Sequence, residues 1–195
     1  SIFAKLEKKE VPTGFALNAK MSFGRESTHT DIQSQNVAAV LEGSDPTLKN
    51  EYVVVTAHSD HIGIGNDLRS KDKINNGLMD NAAGVAILLE TARLYSQAPV
   101  KPKRSILFLH VTGEEHGLHG SRYYSENPLF PIKNTIADIN IDMVGRRDTL
   151  SNHKENGKYV YVIGSDRLSS ELHTINEEMN TKYVGLNLDY TFNAR

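Results

Sequence analysis

The sequence predicts an α/β fold: a mixed, mostly parallel central sheet with helices on both of its faces. Two observations carry that prediction. Short apolar runs rich in Val and Ile alternate with stretches whose apolar residues recur at helical spacing. Four connections also deliver a His or a carboxylate just after an apolar run or at a helix start. That is where open α/β sheets place their ligands, beyond the carboxyl ends of the strands.

Residues 1–34 carry no clear periodicity, and Pro12-Thr13-Gly14 marks a turn there. Strands are predicted over 37–41 and 52–55, separated by the turn-forming Gly43-Ser44-Asp45-Pro46. Gly, Asn and Asp dominate 61–79, which predicts a loop. Val85, Leu88, Leu89, Ala92 and Tyr95 define one face of a helix over 80–96, closed by Pro99 and Pro102. A buried-type strand follows at 106–111, then a short helix at 117–126. Further strands are predicted at 136–143 and 159–163, and an amphipathic helix at 168–179.

Composition narrows the function classes. The chain has 195 residues, with 22 Lys+Arg against 24 Asp+Glu and no basic run longer than residues 101–104. That balance excludes a polycationic nucleic-acid binder, which needs clustered cations to displace counterions. The apolar runs fall far short of the ~18 residues a membrane span requires. With no Cys, disulfides, thiolate nucleophiles and sulfur-bound metals are all excluded, so any metal must be held by the eight His and the carboxylates. Ser1 opens the chain without Met or leader, and 190–195 end it without a cap or polar tail. A piece of a longer protein is therefore expected.

The chemistry gathers at the predicted strand ends. Residues 53–55 lead to Thr56-Ala57-His58-Ser59-Asp60-His61, and 106–111 lead to Thr112-Gly113-Glu114-Glu115-His116. Ile139-Asn140-Ile141 leads to Asp142-Met143-Val144-Gly145, and Asp80-Asn81 opens the helix. Each has an ordinary structural reading. Asp80 alone is a helix N-cap, His58 a hydrogen-bonded histidine, and Glu114-Glu115 a solvated acidic turn. Asp142 fits that reading least, because an apolar strand expels an unpaired carboxylate. His61, His116 and His119 read as structural, and His29, His153 and His173 as surface residues. His116 and His119 lack the spacing of a zinc-binding HExxH helix. Gly117, Gly120 and Ser121 read as turn and helix-start residues.

Taken together, nitrogen and oxygen donors without sulfur suit Zn2+. One of Glu114 and Glu115 can then ligate while the other, beside an activated water, serves as general base. Asp60 can accept the ring N–H of His58 and fix its tautomer.

These motifs resemble the zinc exopeptidases of the bacterial leucyl aminopeptidase and aminopeptidase Y type. The resemblance rests on residues 57–61, 80–84, 113–121 and 140–145, in order and at similar spacings, and runs from about Gln35 to the C-terminus. It implies a zinc exopeptidase fold of the phosphorylase/hydrolase-like kind and a co-catalytic metal pair bridged by Asp80. His58 and Asp142 complete one ion's shell, Glu115 sits on the other, Glu114 is the general base and Asp60 orients His58. It further implies a cis peptide between Asp80 and Asn81. The 35–45 stretch is similar to the subgroup that carries a protease-associated domain, whose end would lie upstream of Ser1. That subgroup is exported, so a secreted or periplasmic location is implied. The family's second histidine ligand comes from a later loop, so residues 188–195 would be the approach to it.

The reading is thus a single peptidase domain over 1–195, incomplete at its C-terminus, whose parent hydrolyses the N-terminal peptide bond of peptide or aminoacyl substrates. Two Zn2+ are expected in the complete domain. The chain as it stands is expected to hold at most one well-occupied ion, beside His58, to have negligible activity, and to self-associate across the truncated side. The alternatives are a carboxypeptidase, a single-zinc glutaminyl cyclase, or a receptor-like ectodomain that binds without catalysis. The presence of both His58 and Asp142 argues against a one-metal site.

Overall fold

A computed structural model describes residues 2–11, 13–14, 19–65, 71–148, 157–167 and 169–193. The chain divides into two units, Ser1–Gln33 and Ser34–Arg195. The first has one element among its described residues, helix α1 (Ile2–Glu7), with Phe3 and Leu6 exposed. The sequence does not predict this short helix, which is too brief to show a periodic face.

The second unit is built on a four-stranded sheet of order β1-β5-β2-β6. Its strands are β1 (Val37–Leu41), β2 (Tyr52–His58), β5 (Ser105–Val111) and β6 (Thr135–Asn140). The central strand β2 pairs in parallel with both β5 and β6, and β1 runs antiparallel to β5. The predicted mixed, mostly parallel sheet is therefore present. β2 extends three residues past its apolar core, through the buried Thr56, Ala57 and His58. Parallel pairing with β5 continues to His58 opposite Val111 and explains the extension, because the neighbouring strand satisfies the backbone whatever the side chain.

Helices cover both faces. Helix α2 (Ala83–Gln97) lays Leu88 on Val55, Ala57, Ile106 and Phe108, with Val85 and Ala92 alongside. On the opposite face, Val54, Leu107, Leu109 and Val111 pack against Phe130 and against Tyr124 of helix α3 (His119–Glu126). Leu88 and Leu107 are fully buried, and each such side chain contributes about 1.5–3 kcal/mol. Leu89 and Tyr95, assigned by spacing to the buried face of α2, are instead exposed. Only a narrow stripe of this helix meets the sheet.

Three smaller features complete the unit. Strands β3 (Gly63–Ile64) and β4 (Ile74–Asn75) form an antiparallel pair within the predicted 61–79 loop. Strand β7 (Tyr159–Tyr161) pairs in parallel with β8 (Asn187–Asp189), a strand the sequence does not predict. Helix α4 (Ser170–Met179) begins at Ser169, whose hydroxyl accepts the Leu172 N–H. His153 lies outside the described residues. His173 is half-buried rather than a surface residue, with Nδ1 2.9 Å from Ser165 Oγ and its ring against Tyr190.

Candidate metal centre

The parallel strands aim their carboxyl ends at one edge, and the site is assembled there. His58 is the last residue of β2. The ladder continues one residue past β6, where the Ile141 N–H donates to the Thr56 carbonyl at 2.9 Å. Asp142 therefore emerges beside His58, with Oδ1 3.4 Å from His58 Nε2. Asp80 comes from a distorted turn over Leu78–Ala82 and places Oδ1 3.0 Å from the same nitrogen. The peptide bond between Asp80 and Asn81 is cis, as the resemblance implies.

Asn81 locks this geometry. It is buried, its amide donates to the Ile141 carbonyl at 2.9 Å, and its oxygen accepts the Gly84 N–H at 3.1 Å. One side chain thus ties the Asp80 turn to the residue preceding Asp142. A Cβ at Gly84 would fall 2.3 Å from Asn81 Oδ1 and 2.6 Å from the Ile141 carbonyl, so the helix can start here only on glycine. The sequence alone marks Asn81 merely as the opening of the helix. A polar residue followed three positions later by Gly at a strand-to-helix junction is the available signal.

Asp60 takes a role different in detail from the one predicted. His58 Nδ1 lies 3.0 Å from the main-chain carbonyl of Asp60, while the Asp60 carboxylate is 3.7 Å away. The carboxylate instead accepts the N–H groups of Glu114 and Glu115, at 3.1 and 3.3 Å. It couples the loop after β2 to the loop after β5. Asn36 holds that second loop from the other side, through Thr112 and Gly120.

His58 supplies the strongest sign of a cation. Its side chain is 2% exposed, and Nε2 is buried without a hydrogen-bond partner. Nδ1 faces a carbonyl and so carries the proton, leaving Nε2 to present a lone pair to two carboxylate oxygens. That arrangement is repulsive unless a proton or a metal ion sits among them. The direction of the His58 pKa agrees. Burial pushes it down, but Asp142, the Asp60 carbonyl, Glu114 and Asp80 outweigh burial and hold it above the ordinary histidine value. His58, Asp80 and Asp142 thus fit a zinc ion in donor type and spacing.

A second group shares Asp80. His61, Asp80 and Glu115 bring their donor atoms within 4.8 Å of one another. His61 Nδ1 stands 2.6 Å from Glu115 Oε1. The sequence reads His61 as structural, yet the fold sets it among the proposed ligands. His116 and His119 are exposed beside them, and neither joins a donor group among the described residues.

Glu114 lines a cleft of about 240 Å³ with His58, Asp142, Val111 and Leu118. Burial holds its carboxyl above the ordinary glutamate value, and Asp142, Glu115 and Asp80 add to that against the pull of His58. Asp138 aside, it is the one carboxylate lining the cleft, among the described residues, that belongs to neither donor group.

Comparison with known proteins follows the same outline. Residues 36–191 match the family described as peptidase family M28. A probable zinc metalloprotease of Pyrenophora teres f. teres is 35% identical over 119 residues, 58% of this chain and 23% of that protein. A vacuolar membrane protease of Pyrenophora tritici-repentis is 25% identical over 154 residues, 74% of this chain and 15% of that protein. Among solved structures, the zinc aminopeptidase BSAP from Bacillus subtilis superposes with a TM-score of 0.60 at 26% identity, covering 80% of this chain and 34% of that one. The chain therefore spans a quarter or less of these curated relatives and about a third of the solved enzyme.

Proposed function

The chain belongs to peptidase family M28, and from that premise we propose that it is the catalytic part of a zinc-dependent aminopeptidase. The observation that carries the reading is the buried, unbonded Nε2 of His58 facing the oxygens of Asp80 and Asp142. Asp80 belongs to both donor groups, which supports a pair of ions sharing one carboxylate. When bound, such ions supply Lewis acidity that polarises a peptide carbonyl and lowers the pKa of water toward about 7.

The rest falls to the chain's own residues. Glu114, held above its ordinary pKa, takes the proton from the attacking water and passes it to the departing amine. Asp60 fixes both loops, so the Glu114 carboxylate and the His58 ring keep one relative position. Val111 and Leu118 give the cleft an apolar wall for a substrate side chain. Restriction to the N-terminal residue, and the secreted or periplasmic location, rest on the resemblance. Among the described residues no helix is long and apolar enough to cross a membrane.

The test is metal analysis combined with a panel of aminoacyl-nitroanilides on the full-length protein, as wild type and as Glu114→Gln. Two zinc ions per chain, with cleavage lost in the variant but metal kept, is the expected result. Retained cleavage would exchange the roles of Glu114 and Glu115, and absence of bound metal would end the reading.

A further inference from the structure

Resting on that reading, we propose that Asp138 selects the substrate: its carboxylate pairs with the cationic side chain of an N-terminal Lys or Arg, so the enzyme acts on peptides that begin with a basic residue. Asp138 lies on the edge strand β6, outside both donor groups, and the mechanism leaves it unused. Its register partner on β2 is Val54, as Thr56 is that of Asn140. Val54 packs with Leu107, Leu109 and Val111 on the face of the sheet that α3 covers. Register partners share a face, so Asp138 and Asn140 stand on that one, lining the cleft that also holds Glu114.

The carboxylate sits at the depth a long side chain reaches. Thr56 Oγ1 is 3.1 Å from Asp138 Oδ1. Thr56 precedes His58 by two residues on the same strand, a rise of about 6.6 Å. Asp138 is therefore set back from the His58 end of the sheet by about the length of a Lys or Arg stem. Val111 and Leu118 flank that distance with apolar surface. Methylenes lie well along such a wall while the charged head goes on to the polar end, where Thr56, Asp138 and Asn140 line the cleft.

Charge decides which head group belongs there. The Thr56 hydroxyl stands 3.1 Å from Asp138 Oδ1 and 3.0 Å from Asn140 Oδ1, with a single proton to give to either. Among the described residues, no Lys, Arg or His forms an ion pair with Asp138. Solvent reaches Asp138, yet burial by the protein around it holds its carboxyl above the ordinary aspartate value, against the Thr56 hydrogen bond. An ammonium or guanidinium beside it relieves that penalty, because an opposite charge favours the anion. An apolar head leaves the carboxylate desolvated and unpaired, and an acidic one repels it. The other use of Asp138 is structural, tying β6 to β2 through Thr56, and the experiment separates the two.

The full-length protein is assayed on lysyl-, arginyl- and norleucyl-nitroanilides, as wild type, Asp138→Asn and Asp138→Glu. Norleucine carries an unbranched apolar stem like that of Lys without the charge, so the ratio of kcat/KM between lysyl and norleucyl substrates isolates the head group. In the wild type that ratio is expected to be at least about 30, with arginyl close to lysyl. Asp138→Asn, which keeps the shape and the contact with Thr56, should bring the ratio toward one. Asp138→Glu keeps the charge and should keep most of the preference. A merely structural role would change all three substrates alike and leave the ratio where it was, so an unchanged ratio in Asp138→Asn overturns the inference. A wild type that cleaves norleucyl as well as lysyl overturns it too, whether or not the variants fold. That outcome leaves the proposed function standing, whereas a wild type that cleaves none of the three overturns both.

Discussion

The two groups of potential metal donors, the halves of the proposed centre, are built from different parts of the fold. His58 and Asp142 leave neighbouring parallel strands, and a ladder hydrogen bond between Ile141 and Thr56 sets their separation. His61 and Glu115 stand on loops, held by the Asp60 carboxylate and by their own contact. The strand-built half keeps a lone pair and two carboxylates at ion-like distances. The loop-built half closes onto a hydrogen bond. Fixed strand ends can hold repulsive groups apart, because the sheet behind them resists relaxation, while loops relax until the polar groups pair.

Asp80 is the one residue common to both donor groups among the described residues, so its removal is the severest test. In the full-length protein, Asp80→Ala is expected to abolish uptake of both zinc ions in a chelator competition, with cleavage lost as well. If one ion still binds at wild-type affinity, the halves are independent and Asp80 serves only one of them.

Glu114→Gln leaves both donor sets whole. The amide keeps the shape of the side chain but cannot accept the water's proton, and general base catalysis is worth roughly 10²–10⁴. In the full-length protein, a kcat lowered by that range at unchanged zinc content is expected from steady-state kinetics with parallel metal analysis.

Two smaller substitutions divide the halves. Asn81→Ala cuts the bond from the Asp80 turn to the Ile141 carbonyl and should weaken the His58 ion by about 10–100-fold. Gly77→Ala crowds His61 instead and should weaken only the second ion, by a similar factor. Zinc titration of each variant checks the pair. Both ions weakening together in either variant would mean that the halves move as a unit.

Much of this centre is legible in the sequence alone. Val54, Val55 and 106–109 read as buried strands because their side chains are apolar on both faces, as a covered parallel sheet requires. Once strands are placed, the residues just beyond them become candidates on topological grounds, which singles out His58, Glu114, Glu115 and Asp142. What escapes is set by contacts distant in sequence. His61 has no special spacing, and its meeting with Glu115 joins residues 54 apart. The bond from Asn81 to Ile141 spans 60. Asp60 bonds His58 through its main chain, which no side-chain pattern can announce. The β3–β4 pair and β8 are too short for alternation to show. Leu89 and Tyr95 satisfy the helical period yet face solvent, because periodicity identifies a stripe but not how much of it a neighbour covers.

The smallest expected effect is a shift in one titration, and it reports on the region where the halves meet. In the metal-free chain, burial and the surrounding Asp142, Glu115 and Asp80 carboxylates disfavour the Glu114 anion, and the opposing pull of His58 does not cancel them. Its carboxyl should therefore titrate above the ordinary glutamate value, as followed by side-chain carboxyl NMR. Zinc reverses the sign. A cation bound among the same carboxylates neutralises their repulsion and favours the charged form of Glu114, so its midpoint should fall as the ions are added. The first equivalent, between His58 and Asp142, should produce part of the fall, and the second, beside Glu115, the rest. A fall complete after one equivalent would place Glu114 under the strand-built half alone. A midpoint that does not move with zinc would remove it from the centre altogether.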